Sequence, residues 1–355
     1  MALLSDPLKI KNLTIKNRIC VPPMVCYHWA DESGQVTEKN IRHYQSIARG
    51  GAGLIIQEAA CVSPDGRLSM DQLGIWRDEQ IPGLKKITQA VHDEGVPIFI
   101  QLHHAGVLGA GEDLVCPSEY DCVFRDRPRH GRAMTTEEIH QVIGQFADAA
   151  KRAVLAGYDG IEIHGCHGYL LCQFLNRRVN QRTDEFNPDS MKIIEMILDG
   201  IRSQVPDDFI IGIRLGVFEP TLEDALAHAR WLDRHGIDFI DASYGFNFEM
   251  DPVKPEDYPL LDVHYGAGEI KKAVHVPVFA VNSIDSPQKA QEVLDVTGVD
   301  MVDIGRGTLV NYSWANDALA GRDTGKCLHC PQCMWRIDWK KCPGRRLLER
   351  QRGSN

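Results

Sequence analysis

At 355 residues the chain can hold one large domain or two ordinary ones, and 25% charged with 43% hydrophobic residues is a soluble, globular composition. A net charge of −10 and a pI near 5.8 argue against a nucleic-acid binder or a basic membrane-surface protein, since either needs a concentrated positive face. The start, MALLSDPLKIKNLTIKN, lacks the basic head and apolar core of a secretory signal, and no later apolar run is long enough to cross a bilayer, so a cytoplasmic protein is expected.

Along the chain, eight apolar runs read as strands, at residues 19–24, 53–59, 97–103, 160–164, 209–215, 239–243, 276–282 and 300–305. Near-continuous apolar runs such as GLIIQEA and PIFIQL suit parallel strands covered on both faces. Helical stretches lie between them. In TTEEIHQVIGQFADAAKRAVLAG, Thr135 or Thr136 can cap, Glu137 and Glu138 favour the positive end of the dipole, and Ile139, Val142, Ile143, Phe146 and Ala150 share a face. TLEDALAHARWLDRHG repeats that pattern. The junctions ARGGAGLII, LAGYDGIEI, RHGIDFIDA and VTGVDMVDIG each end a helix on glycine just before an apolar run. Eight such units predict an α/β protein of (β/α)8 TIM-barrel architecture over 1–320, with a short cysteine-containing extension over 321–355. A doubly wound sheet is disfavoured because no strand is followed by G-x-G-x-x-G.

In such a barrel the chemistry sits at the C-terminal strand ends. Those ends offer Pro23, Met24, Cys26 and Tyr27; Ala59; Gln101, His103 and His104; His164, His167 and Tyr169; Arg214; Asn282 and Ser283; Gly305 and Arg306. No obvious facing carboxylates, G-x-S-x-G elbow or H-E-x-x-H helix is seen, which weakens glycosidase, serine esterase and zinc peptidase readings. The set is rich in donors instead, suited to an electron-rich ring, a developing oxyanion or a phosphate.

The block IEIHGCHGYLLCQFL with NQRTDEF after it, together with IKNRICVPPM, GAGLIIQEAACVSPDGR, LGIW, IFIQLHHAG and DIGRG, resembles the Old Yellow Enzyme family of FMN-dependent ene-reductases over about 7–309. The resemblance implies an FMN enzyme that takes hydride from NAD(P)H and delivers it to an activated C=C bond of a small enone, enal or enoate. It implies His164 and His167 as donors to the substrate oxygen and Tyr169 as the proton donor. Gln101 and Arg214 match the flavin pyrimidine edge, and Pro23, Met24 and Ala59 the bed of the ring. Gly305 and Arg306, with Asn282 and Ser283, match the phosphate end, and Tyr27 is a substrate contact. His103 and His104 are left as packing or loop residues. The sequence departs from the family at Val25, where some members carry a flavin-tuning cysteine; Cys26, one residue on, points to the other face and reads as structural. Asn187, Pro188, Asp189 and Ser190, Asn282 and Val107 are further departures, bearing on phosphate geometry and substrate range.

Cys327, Cys330, Cys333 and Cys342, spaced by two, two and eight residues with a proline after the last, look more like an iron–sulfur ligand set than paired C-x2-C zinc units. Iron–sulfur, structural zinc and free thiols all stay open. The resemblance extends to the 2-enoate and 2,4-dienoyl-CoA reductases, which carry a cluster after the barrel, and implies an electron-transfer protein as an alternative reductant. The basic end, RRLLERQRGSN, reads as a flexible tail, with Arg352 a candidate to enter a neighbouring subunit's site in a homo-oligomer. Competing readings are the catalytic subunit of a larger iron–sulfur reductase, a non-catalytic flavin carrier, and a lyase using His164 and His167 for acid–base chemistry or metal binding.

Overall fold

The computed structural model describes residues 2–245 and 250–353. Eight parallel strands close into one barrel: β1 Ile19–Val21, β2 Leu54–Cys61, β3 Ile98–His103, β4 Gly160–Gly165, β5 Ile210–Gly216, β6 Phe239–Ser243, β7 Val278–Ala280 and β8 Met301–Asp303. Neighbours pair in chain order, and β8 returns to β1 through Val302 opposite Ile19 and Asp303 opposite Cys20. Helices α1 Glu38–Arg49, α2 Ile81–His92, α3 Thr136–Leu155, α4 Lys192–Arg202, α5 Leu222–Arg234, α6 Asp262–Ala273, α7 Pro287–Thr297 and α8 Arg306–Val310 alternate with the strands. This is the (β/α)8 barrel.

The runs after β1, β7 and β8 leave the ladder earlier than their apolar length predicts. Pro22 and Pro23 have no N–H to give it, and Asn282 and Ser283 turn into left-handed backbone at φ 88° and 50°. Each early exit drops a loop across the barrel mouth, where side chains become available for chemistry. α3 starts as expected: the Thr135 hydroxyl accepts from the Glu138 N–H at 3.2 Å, and the Glu138 carboxylate accepts from the Thr135 N–H at 2.8 Å.

The opposite end is sealed. A hairpin of Leu8–Ile10 and Leu13–Ile15 lays Leu8, Ile10 and Ile15 against Phe99, Phe239, Phe279 and Met301 at the N-terminal strand ends. Phe239 stacks on Phe279 at 4.8 Å between centroids and on Phe99 at 5.5 Å. Of the two ends of the barrel, the C-terminal mouth is the one left open among the described residues.

Two features differ from the sequence expectation. Between β3 and α3 the chain makes a three-stranded sheet of Val115–Cys116, Tyr120–Phe124 and Arg127–Ala133, with Arg125 and Asp126 both at positive φ in the two-residue turn. The basic end is not a loose tail. Pro343–Gly353 is a helix that buries Leu348 and Arg345; Arg345 donates to the Leu309 carbonyl at 2.8 Å and lies over the Tyr312 ring. Arg352 pairs within the chain, with the Asp317 carboxylate at 2.5 Å and the Asp323 carbonyl at 2.9 Å. Those contacts hold Arg352 against its own chain. Ser354 and Asn355, also in the expected tail, lie outside the described residues.

Substituting Phe239→Ala removes the middle ring of the basal stack and should lower stability by about 3–5 kcal/mol. A shift of the urea unfolding midpoint in the purified protein measures it.

Candidate active site

Strand pairing sets the height of each interior side chain. His164 on β4 is level with Arg214 on β5, which is level with Asp241 on β6, and Gln101 on β3 is level with Glu162. Because a strand alternates faces, His164 stands one layer above Glu162, and Ser243 one layer above Asp241. Past β4 the chain turns sharply: His167 is held at φ 64° and Gly168 at 68°, and Tyr169 then starts the short helix Leu170–Leu175. A left-handed histidine is strained. Glu219 opposes the strain by accepting the His167 N–H with both oxygens, at 2.9 and 3.1 Å, and also accepts the Gly245 N–H and the Cys172 thiol.

The mouth holds a cavity of about 520 Å3 whose wall includes Pro23, Met24, Tyr27, Ala59, Gln101, His164, His167, Tyr169, Arg214 and Arg306. A smaller one of about 280 Å3 shares Pro23, Met24, Arg214 and Arg306 and adds Asn282, Ser283 and Gly305. Every barrel residue that the resemblance matched to cofactor, substrate or proton transfer thus borders this pair of spaces. Val25 faces the cavity, whereas Cys26 is buried beside Val310, Trp335 and Cys342.

Tyr169 meets His103 and His164 edge to face, with centroids at 4.5 and 4.9 Å. The three imidazoles form a chain: His103 Nδ1 lies 3.0 Å from His164 Nδ1, His164 Nε2 lies 2.9 Å from His167 Nδ1, and His167 Nε2 lies 2.8 Å from Ser243 Oγ. His103, expected only to pack, therefore belongs to the site. His104 does pack, accepting the Gly106 N–H. His164, Cys166 and His167 also bring ligand atoms within 4.8 Å of one another, as a metal site would.

Electrostatically the site is dry. Burial, then the neighbouring imidazoles and Arg214, holds His164 well below the usual histidine range; burial followed by Arg214 does the same for His167, and His103 is driven to about 3, again mainly by burial. All three are neutral at physiological pH. Burial pushes the Tyr169 phenol up, so it keeps its proton. Below them the structure corrects the absence of facing carboxylates read from sequence. Glu162, Asp241 and Asp303 gather around Arg214, with Arg214 Nε 3.3 Å from Asp241 and Gln101 Nε2 2.7 Å from Glu162. Burial of the Arg214 guanidinium lowers its pKa, but Asp241 and Glu162 outweigh that and raise it on balance. Burial, with help from Asp241, raises Glu162 and Asp303 well above the carboxylate range, so both stay protonated. The signal was present as period two: each acid stands two residues before His164, Ser243 or Gly305.

These residues fit a flavin mononucleotide. Arg214 brings a buried cation to the wall of both cavities, Gln101 retains its amide oxygen for a ring N–H, and Arg306 lies at the far end beside the positive-φ turn. The hairpin that sequence reading missed also arrives here, its Arg125 donating to Tyr27 Oη at 3.2 Å. The tail forms the remaining wall, with Cys327, Cys330, Cys333 and Cys342 all bordering the larger cavity. Among the described residues these four do not close into a compact ligand group like that of His164, Cys166 and His167.

A model of the NADH:flavin oxidoreductase / NADH oxidase family matches residues 4–324. An NADH oxidase of Thermoanaerobacter brockii is 36% identical over 339 residues, covering 91% of this chain and 52% of that protein, so the chain spans about half its relative's length. Among solved structures, a 2-naphthoyl-CoA reductase in complex with 2-naphthoyl-CoA superposes with a TM-score of 0.84 at 25% identity, over 93% of this chain and 54% of the other. The old yellow enzyme homologue of Zymomonas mobilis gives 0.79 at 25% identity over 95% and 99%, and morphinone reductase 0.75 at 26% over 91% and 90%.

Burial lifts Glu219 from the usual glutamate value to about 7 despite its hydrogen bonds. A folded-state pKa above the unfolded one means the native protein holds the extra proton, so this contribution to stability is full below about pH 4.5 and is lost as pH rises through about 7. Glu219→Gln should remove that fall, and the difference between wild-type and variant melting temperatures from pH 5 to 8 isolates it.

Proposed function

Since the chain belongs to the NADH:flavin oxidoreductase / NADH oxidase family, we propose that it is an Old Yellow Enzyme-type ene-reductase that reduces a C=C bond conjugated to a carbonyl or carboxylate. The observation that carries this is the convergence of neutral His164 and His167 with protonated Tyr169 on one cavity that Gln101 and Arg214 also border.

FMN, when bound by Gln101, Arg214, Arg306 and the backbone around Pro23, Met24, Ala59, Asn282, Ser283 and Gly305, supplies hydride, which it takes from NADH or NADPH. The rest is done by side chains. His164 and His167 grip the substrate oxygen and stabilise the negative charge that grows there when the β-carbon gains hydride. Neutral imidazoles suit this, because each offers an N–H without a charge that would bind the ground state equally. Tyr169 gives its proton to the α-carbon, and the resulting phenolate is reprotonated from solvent. Tyr27, braced by Arg125, borders the outer part of the substrate space.

A second reading is favoured by the placement of the four cysteines on the wall of that cavity. In it the tail holds an iron–sulfur cluster, and electrons arrive from a flavin and nucleotide module or a separate protein. The spacing of two, two and eight residues with a proline after the last suits an iron–sulfur ligand set better than paired C-x2-C zinc units.

Anaerobic addition of NADH or NADPH should bleach a flavin band and 2-cyclohexenone should restore it; a protein that stays colourless with FMN supplied overturns the reading. Tyr169→Phe should leave bleaching by the nucleotide intact and slow recovery about 100-fold or more. For the second reading, iron and acid-labile sulfide should accompany the anaerobically purified protein and be lost in Cys342→Ser. Zinc without iron would return the tail to a structural role.

A further inference from the structure

The roles above leave His103 and Ser243 unused, yet both are wired to the catalytic pair. Ser243 closes one end of the imidazole chain and receives Arg214 Nη2 at 3.4 Å. An arginine can only donate, so the Ser243 oxygen accepts there. Among the described residues, the acceptor within reach of its single hydrogen is His167 Nε2. A neutral imidazole carries one N–H and one lone pair. If Nε2 of His167 accepts, its hydrogen is on Nδ1.

At the other end, His103 is fully buried and its Nε2 has no partner. A buried N–H without an acceptor is the rarer orphan. The hydrogen of His103 therefore belongs on Nδ1, where it donates to His164 Nδ1 at 3.0 Å. That leaves the His164 hydrogen on Nε2. The two ends of the wire thus aim two N–H groups at each other, His164 Nε2 and His167 Nδ1, across 2.9 Å. Without a ligand one of them must yield; with an oxygen accepting between them neither need do so.

We propose that His103 and Ser243 are positioning residues that set the tautomers of the catalytic pair, His103 holding His164 as its Nε2–H form and Ser243, backed by Arg214, holding His167 as its Nδ1–H form, so that both N–H bonds converge on one substrate oxygen. The assignment rests on the ene-reductase reading of the site. It also explains why an anionic oxygen would be preferred over a cation there, since both facing groups are donors.

The test uses the FMN-loaded protein with 15N-labelled histidine and 4-nitrophenolate as a stand-in for the developing oxyanion. In the complex, His164 should show the Nε2–H pattern and His167 the Nδ1–H pattern by NMR. His103→Phe keeps ring size but removes the donor; it should let His164 change tautomer and weaken phenolate binding about 10-fold, the scale of one lost hydrogen bond to a charged group. His103→Asn, whose amide N–H stands where Nδ1 stood, should restore both. Ser243→Ala should do the same to His167, and Ser243→Thr should repair it. An Nδ1–H pattern at His164 in the wild-type complex overturns the proposal, as does a His103→Phe variant that binds as tightly as wild type. If His103→Phe does not fold, the wild-type pattern decides alone. Both readouts are taken without turnover, so an inability to reduce 2-cyclohexenone would sink the functional reading while the tautomers are still measured.

Discussion

A guanidinium group cannot shed its charge inside a protein, so a barrel that buries one must be built around it. Arg214 is 5% exposed and is met at its own level by Asp241. Beside that pair, burial drives Glu162 and Asp303 to hold protons, which limits the negative charge on the floor of the mouth. A floor whose two further acids hold protons repels an anionic ligand less than three carboxylates would. It also keeps the imidazole layer free of the nearby negative charge that would otherwise draw protons onto the histidines. The same guanidinium reaches Ser243, so the cation that organises the floor also touches the imidazole layer.

Much of this was legible before any coordinates. The eight strands follow from near-continuous apolar runs with glycine before them, a pattern only a sheet covered on both faces rewards. The barrel in turn specifies which strand ends matter, and the His164 to Tyr169 block was readable because its residues are close in sequence. Gln101, Arg214 and Arg306 lie far apart in the chain, and though the barrel reading put them at strand ends their roles rested on resemblance; the strand register is what brings them to one space.

What sequence did not yield has physical reasons. His103 looked like a packing residue because its partner, His164, is 61 residues away, and a lone histidine on an apolar strand is ordinary. The three acids lie one layer inside the strand ends, where carboxyl groups are rare unless paired, so their sequence pattern is hidden among apolar strand residues. The strands around Arg125 alternate weakly and carry many charges, so their periodicity is faint, and their turn lacks the usual asparagine or glycine. The helix at 343–353 has a strongly polar composition, and its stability comes from Arg345, Leu348 and Arg352 docking on the barrel, which propensity does not reveal.

The tail divides labour in the molecule. His164 stands on a barrel strand tied by ladders on both sides, with His167 and Tyr169 in the turn that follows it, whereas Leu328, Pro331, Met334, Trp335 and Arg336 of the tail make up the facing wall. Chemistry and shape are thus inherited from separate stretches of chain. Evolution can remodel this tail, widening or narrowing the cavity, while the imidazole and phenol groups beneath keep their alignment.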